Sequence, residues 1–148
     1  MSRALMLNRD ADAVFFLGDG IFDLEPFAAR PVPPAWLAVR GNCDISYVYG
    51  NSIAKKTDEI NLMGYRIVYT HGDLYSVKSS TVHLEALARE RNADLVLFGH
   101  THTPYERYVS DYEKPFYLFN PGSIGGASPS FGVIQLTESG ILLSHGRF

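Results

Sequence analysis

Gly99-His100-Thr101-His102 sets two imidazoles two residues apart directly behind the apolar run "ADLVLF". Neutral imidazoles at that spacing can aim into one concavity and ligate a metal, although a polar loop with incidental histidines fits the same residues. Three further segments bear on the choice. Gly18-Asp19-Gly20, Gly41-Asn42 and His71-Gly72 each place a ligand-type residue beside a glycine, which permits tight turns and close backbone approach. Asp-Gly alone is an ordinary turn signal. Taken together, one Asp, one Asn and three His point to a shared site.

The elements that must position these residues are legible as apolar runs. Each segment follows one: "AVFFLG" (13–18), "AWLAVRG" (35–41), "YRIVYTHG" (65–72) and "ADLVLFGH" (93–100). Their near-continuous hydrophobicity predicts strands covered on both faces. Between the last two, Val77, Thr81, Leu84, Leu87 and Ala88 recur at helical spacing, which predicts an amphipathic crossover helix and a βαβ unit. In open α/β sheets, ligands bind beyond the carboxyl ends of the strands, so the four segments should converge on one edge. A short helix within residues 2–12 should feed the first strand. The proline cluster "RPVPPAW" (30–36) reads as a surface loop. After residue 104, "YERYV", "FYLF", "FGVIQL" and "ILLSH" predict an antiparallel meander forming a second sheet. The expected fold class is α/β, two packed β-sheets flanked by helices, over a single domain spanning 1–148.

Composition narrows the function classes. The 148 residues are 46% hydrophobic and 20% charged, with a formal net charge of −3, so nothing offers nucleic acid a basic footprint. No apolar run approaches the roughly 18 residues of a membrane span. One cysteine, Cys43, rules out an internal disulfide and fits a reducing compartment. The opening residues hold too short an apolar stretch for a signal peptide, which makes cytoplasm the expected location.

In this order, "GDG", "GNCD", "HG" and "GHTH" resemble the calcineurin-like metallophosphoesterases, and "NPGS" (120–123) is similar to the small YfcE-type phosphodiesterases among them. The resemblance implies a metallophosphoesterase-like sandwich and a dinuclear centre hydrolysing small phosphate esters. It implies that Asp19 bridges two metals, that Asn42, His71 and His100 complete the second metal site, and that His102 binds the first. Asp19, Asn42, His71 and His100 would then be the catalytic set. A carboxylate can share its charge between two cations roughly 3.5–4 Å apart, and the metals would lower a bound water's pKa toward about 7. Imidazole with oxygen ligands suits Mn, Fe, Zn or Ni better than Ca or Mg.

The chain also departs from that pattern. The family's first strand, ending in D-x-H and serving the first metal, has no counterpart in the sequence. Asp10 and Asp12, the nearby carboxylates, read as solvated helix-end residues. The first site is therefore expected to be incomplete and hydrolysis feeble. A catalytically degenerate phosphoesterase-fold protein acting as an interaction scaffold is the alternative, as the retromer subunit of this fold illustrates. Expected partners are a small phosphate-ester substrate, with neither nucleic acid nor membrane and with a homo-oligomer left open. Cys43 reads as a small buried residue, and Asp44 as a candidate to orient its loop. Asp73 reads either as supporting a histidine ligand or as capping the following helix. His83 and His145 read as surface residues, and Tyr75 and Tyr105 as packing. Ser123 is placed near the metals by the resemblance alone.

Overall fold

A computed structural model describes residues 1–28, 34–44, 48–49 and 52–148, so residues 30–33 of the proline cluster lie outside the described residues. Helix α1 (Ser2–Leu7) leads into β1 (Ala13–Phe16), which pairs in parallel with β2 (Ala35–Ala38). A 3-10 turn (Ile21–Leu24) and α2 (Glu25–Ala28) lie between them, and a small hairpin of β3 (Val48–Tyr49) and β4 (Ser52–Ile53) follows. A five-stranded sheet comes next. It is built from β5 (Thr57–Leu62), β6 (Tyr65–Thr70), β7 (Leu95–Phe98), β8 (Pro104–Val109) and β9 (Phe116–Pro121), in the order β5-β6-β7-β9-β8. The chain ends in a hairpin of β10 (Ser130–Thr137) and β11 (Gly140–Arg147).

The expected βαβ unit is β6, α3 (Val82–Glu90) and β7, with β6 and β7 parallel. Strand alternation sorts its side chains between two cores. Val68, Val96, Phe98 and Leu118 face α3 and bury Leu84, Leu87 and Ala88. Ile67, Tyr69, Leu95, Leu97 and Phe119 face the other way, onto Phe15, Leu37 and Val39 of the β1–β2 segment and Ile134, Ile141 and Leu143 of the final hairpin. Sheet thus packs on sheet, with α3 outside. Each fully buried Leu or Ile contributes on the order of 1.5–3 kcal/mol. Ile21 and Leu24 cover the remaining face of β1–β2, beside Trp36 and Ala38.

The expected meander after residue 104 is divided: β10 and β11 pair as a separate two-stranded sheet, whereas β8 and β9 join the central one. β8 and β9 are antiparallel, but β9 also pairs in parallel with β7, so both extend the sheet that holds β6. The buried run Phe116–Phe119 suits a central strand covered on both faces. β5 was not foreseen, because the acids of "TDEINL" hide its pairing with β6.

Candidate metal centre

Parallel register sets out the site. Thr70 lies opposite Phe98, so His71 and Gly99-His100 emerge side by side, with the Gly99 N–H donating to the His71 carbonyl at 2.9 Å. In β1 and β2, Phe16 lies opposite Ala38, so the turns carrying Asp19 and Asn42 emerge together. The two pairs meet through glycines. A Cβ on Gly18, whose φ is +94°, would stand 2.5 Å from the Gly41 nitrogen and 2.8 Å from His71 Nδ1, and a Cβ on Gly41 would strike the Asp19 carboxylate. Only glycine lets these turns interlock.

His71 is 1% exposed. Its Nδ1 is 2.6 Å from the Leu17 carbonyl oxygen, so Nδ1 carries the proton and donates, leaving a bare lone pair on Nε2. That nitrogen faces Asn42 Oδ1 at 3.1 Å, His100 Nδ1 at 3.1 Å and Asp19 Oδ2 at 3.4 Å. The ligand atoms of Asp19, His71 and His100 all lie within 4.8 Å of one another. Four atoms able to ligate a metal thus converge on one point, with the bare Nε2 lone pair of His71 at its centre. Burial, helped by Lys78 and by His71, holds the His100 pKa below the ordinary 6.5 and keeps its imidazole neutral. The donor set therefore fits a borderline transition metal.

Two of the clustered residues carry left-handed backbones, Asp19 at φ +59° and His100 at φ +65°, which costs on the order of 1–2 kcal/mol for a non-glycine residue. Each turn is held by a buried polar side chain from a remote segment. Asp44, 3% exposed, accepts the N–H groups of Asp19, Gly20 and Gly41 at 2.8 Å and of Ile21 at 3.1 Å. Burial pushes its carboxyl pKa up, but the four N–H groups outweigh that and hold it below the ordinary carboxylate value. Asn120, fully buried, donates to the Gly99 carbonyl at 2.9 Å and the Thr101 hydroxyl at 3.0 Å while accepting the Gly122 N–H.

The other sequence-derived candidates have these places. His102, exposed and at φ +59°, stands outside the group of three. Cys43 is exposed rather than buried, because it sits on the open turn beside Asp19. The neighbouring Asp19 charge raises its thiol pKa. Asp73 is not the cap residue of its 3-10 turn, and its bond is to Lys56, with His71 and His100 acting on it only through their charge. It pairs with Lys56, which holds its carboxyl below the ordinary range against the effect of burial. His145 is half-buried, stacking on Phe119 with its Nε2 2.8 Å from the Asn120 carbonyl. His83, Asp10 and Asp12 are exposed. Tyr75 and Tyr105 pack against the α3 core. The Ser123 hydroxyl accepts the Gly125 N–H within its own loop, so the residue of "NPGS" that reaches the site is Asn120. Its signal was an amide directly after a fully apolar strand.

Vacuolar protein sorting-associated protein 29 of Schizosaccharomyces pombe is 39% identical over 100 residues, covering 68% of this chain and 48% of its own. A probable metallophosphoesterase of Methanocaldococcus jannaschii is 36% identical over 114 residues, covering 77% of this chain and 54% of its own. The chain thus spans about half the length of these curated relatives. Among solved structures, an archaeal phosphodiesterase superposes with a TM-score of 0.74 at 21% identity, covering 99% of this chain and 90% of its own. That likeness shows the fold. The model of the calcineurin-like phosphoesterase superfamily domain matches residues 1–139, and the chain belongs to that superfamily.

Proposed function

We propose that the chain is a metal-dependent phosphodiesterase that hydrolyses small phosphate esters by metal-activated water. The observation that carries this reading is the convergence of Asp19, Asn42, His71 and His100 side-chain ligand atoms on one point, with the His71 tautomer set by the Leu17 carbonyl. A bound divalent metal, with manganese the first to try, supplies Lewis acidity toward the phosphoryl oxygens and acidifies a water. The protein's part is to hold the acceptors in place: Leu17 orients His71, Asp44 holds the Asp19 turn, and Asn120 holds the His100 turn. Asp19 and His102 are the residues this reading assigns to a second metal, and the expected behaviour of the 148 residues is close to one metal bound and slow turnover. The reading places the protein in the cytoplasm. Among the described residues, no helix is long and apolar enough to cross a membrane.

The test joins a Mn²⁺ titration of chelator-stripped protein to an assay of bis-p-nitrophenyl phosphate. One tightly held ion with slow, metal-dependent hydrolysis is the expected result. Two tightly held ions with brisk turnover would show that another group completes the first site. A second reading, an interaction scaffold on this fold, is favoured by the Vps29 relative and by the standing of His102 outside the cluster. Metal binding with no hydrolysis under any metal would select it.

A further inference from the structure

We infer that Asp44 is the positioning residue of the metal centre, the group that holds the charged half of the ligand set in register with the histidine half. The inference rests on the metal-binding reading above.

The geometry separates Asp44 from an ordinary buried aspartate. Its carboxylate collects N–H groups from two separate turns. Oδ1 accepts from Gly20 and Ile21, and Oδ2 accepts from Asp19 and Gly41. Every acceptor direction is thereby committed to backbone, so Asp44 is not itself a ligand. Three of those donors are consecutive, and they fold the chain around Asp19 into the left-handed conformation that aims its side chain at His71. The fourth, Gly41, ties that turn to the one bearing Asn42. The same assembly sets the Asp19 carboxylate itself, because the Cys43 N–H, next to Asp44, donates to Asp19 Oδ1 at 2.9 Å and leaves Oδ2 facing the imidazoles. One ionised side chain therefore fixes the backbone, the direction and the free oxygen of the only carboxylate in the cluster.

Asparagine at this position offers one acceptor oxygen and replaces the other by an NH₂ aimed at two N–H donors. The expected outcome for Asp44→Asn is a folded chain whose Mn²⁺ affinity, read by calorimetry, falls about tenfold or more, the scale of a lost supporting hydrogen bond at a metal site. Asp94→Asn supplies the contrast. Asp94 accepts the Arg66 N–H at 2.7 Å and pairs with Lys114 at the opposite end of β7, so its loss lowers the melting temperature of the metal-free chain and leaves Mn²⁺ affinity unchanged. Affinity in Asp44→Asn equal to wild type, or reduced no more than in Asp94→Asn at a matched loss of melting temperature, would overturn the inference. A second measurement needs no variant. In the metal-free wild-type chain, the amides of Asp19, Gly20, Ile21 and Gly41 should exchange with solvent far more slowly than the amide of exposed Asn42. Equal rates would also overturn it. Wild-type protein that binds no Mn²⁺ while those amides stay protected would instead defeat the metal-binding reading.

Discussion

His71 and His100 rise from β6 and β7, strands paired along both edges and packed on both faces. Asp19 and Asn42 sit on turns after β1 and β2, four-residue strands that pair only with each other among the described residues. The contrast runs down to the side chains. His71 is 1% exposed, whereas the Asp19 side chain is 22% exposed and Asn42 lies on the surface. The site thus receives its imidazoles from a half whose strands are fixed by packing, with Asn120 tying down the His100 turn. Its charge comes from a half whose geometry comes from hydrogen bonds to one carboxylate. Packing spreads a constraint over many contacts, while a carboxylate clamp concentrates it in one group.

The largest effect should follow removal of the residue where the halves meet. His71→Ala deletes the central lone pair and the bond to Leu17, so Mn²⁺ affinity is expected to fall about a hundredfold or more, at the upper end of what single groups around a metal contribute. Calorimetric titration of the stripped variant checks it, and unchanged affinity would break the assignment of the centre. Asn120→Leu comes next. It frees the His100 turn without touching a ligand, and affinity should fall about tenfold while the Asp19 turn keeps its amide protection. Protection lost at both turns would show that the halves are not separately held.

Acid sharpens the comparison from another side. Imidazole ligands bind metal only when neutral, so Mn²⁺ affinity should be full above about pH 7 and decline as pH falls through roughly 6.5 and below. The depressed pKa of His100 carries its share of that decline to lower pH. Titrations across that range test this, and affinity indifferent to pH between about 5 and 7.5 would argue against histidine ligation. The smallest effect belongs to His102→Ala. The side chain is exposed and outside the cluster, so tight binding of the first ion should be unchanged within about twofold, well inside the 1.4 kcal/mol that a factor of ten represents. A large loss would make His102 a ligand of the centre formed by Asp19, His71 and His100.

Much of the site was legible because strand ends punctuate a sequence. Asp19, Asn42, His71 and His100 each follow an apolar run and sit beside a glycine or within two residues of one, and parallel strands bring such ends to a common edge. The supporting groups were harder to read. Asn120 looked like part of a turn, and nothing local says that its amide reaches back 21 residues to the Gly99 carbonyl. Cys43 was misplaced for the same reason. A small sulfur residue on a turn carries no local mark of exposure, and the packing of distant elements set it.

The amino-acid order by itself determined which residues carry donor atoms, that glycines flank them, and that apolar strands with one crossover helix present them. Those properties are local, fixed by residue chemistry and by periods of two and 3.6 along the chain. The tertiary structure alone decided that β8 and β9 extend the β6–β7 sheet, that His71 keeps its Nε2 bare, and that Asp44 gathers four amides from two turns. Each of these depends on groups brought within about 3 Å from remote parts of the chain. Hydrogen bonding at that range is a matter of direction and distance, which only the folded backbone supplies.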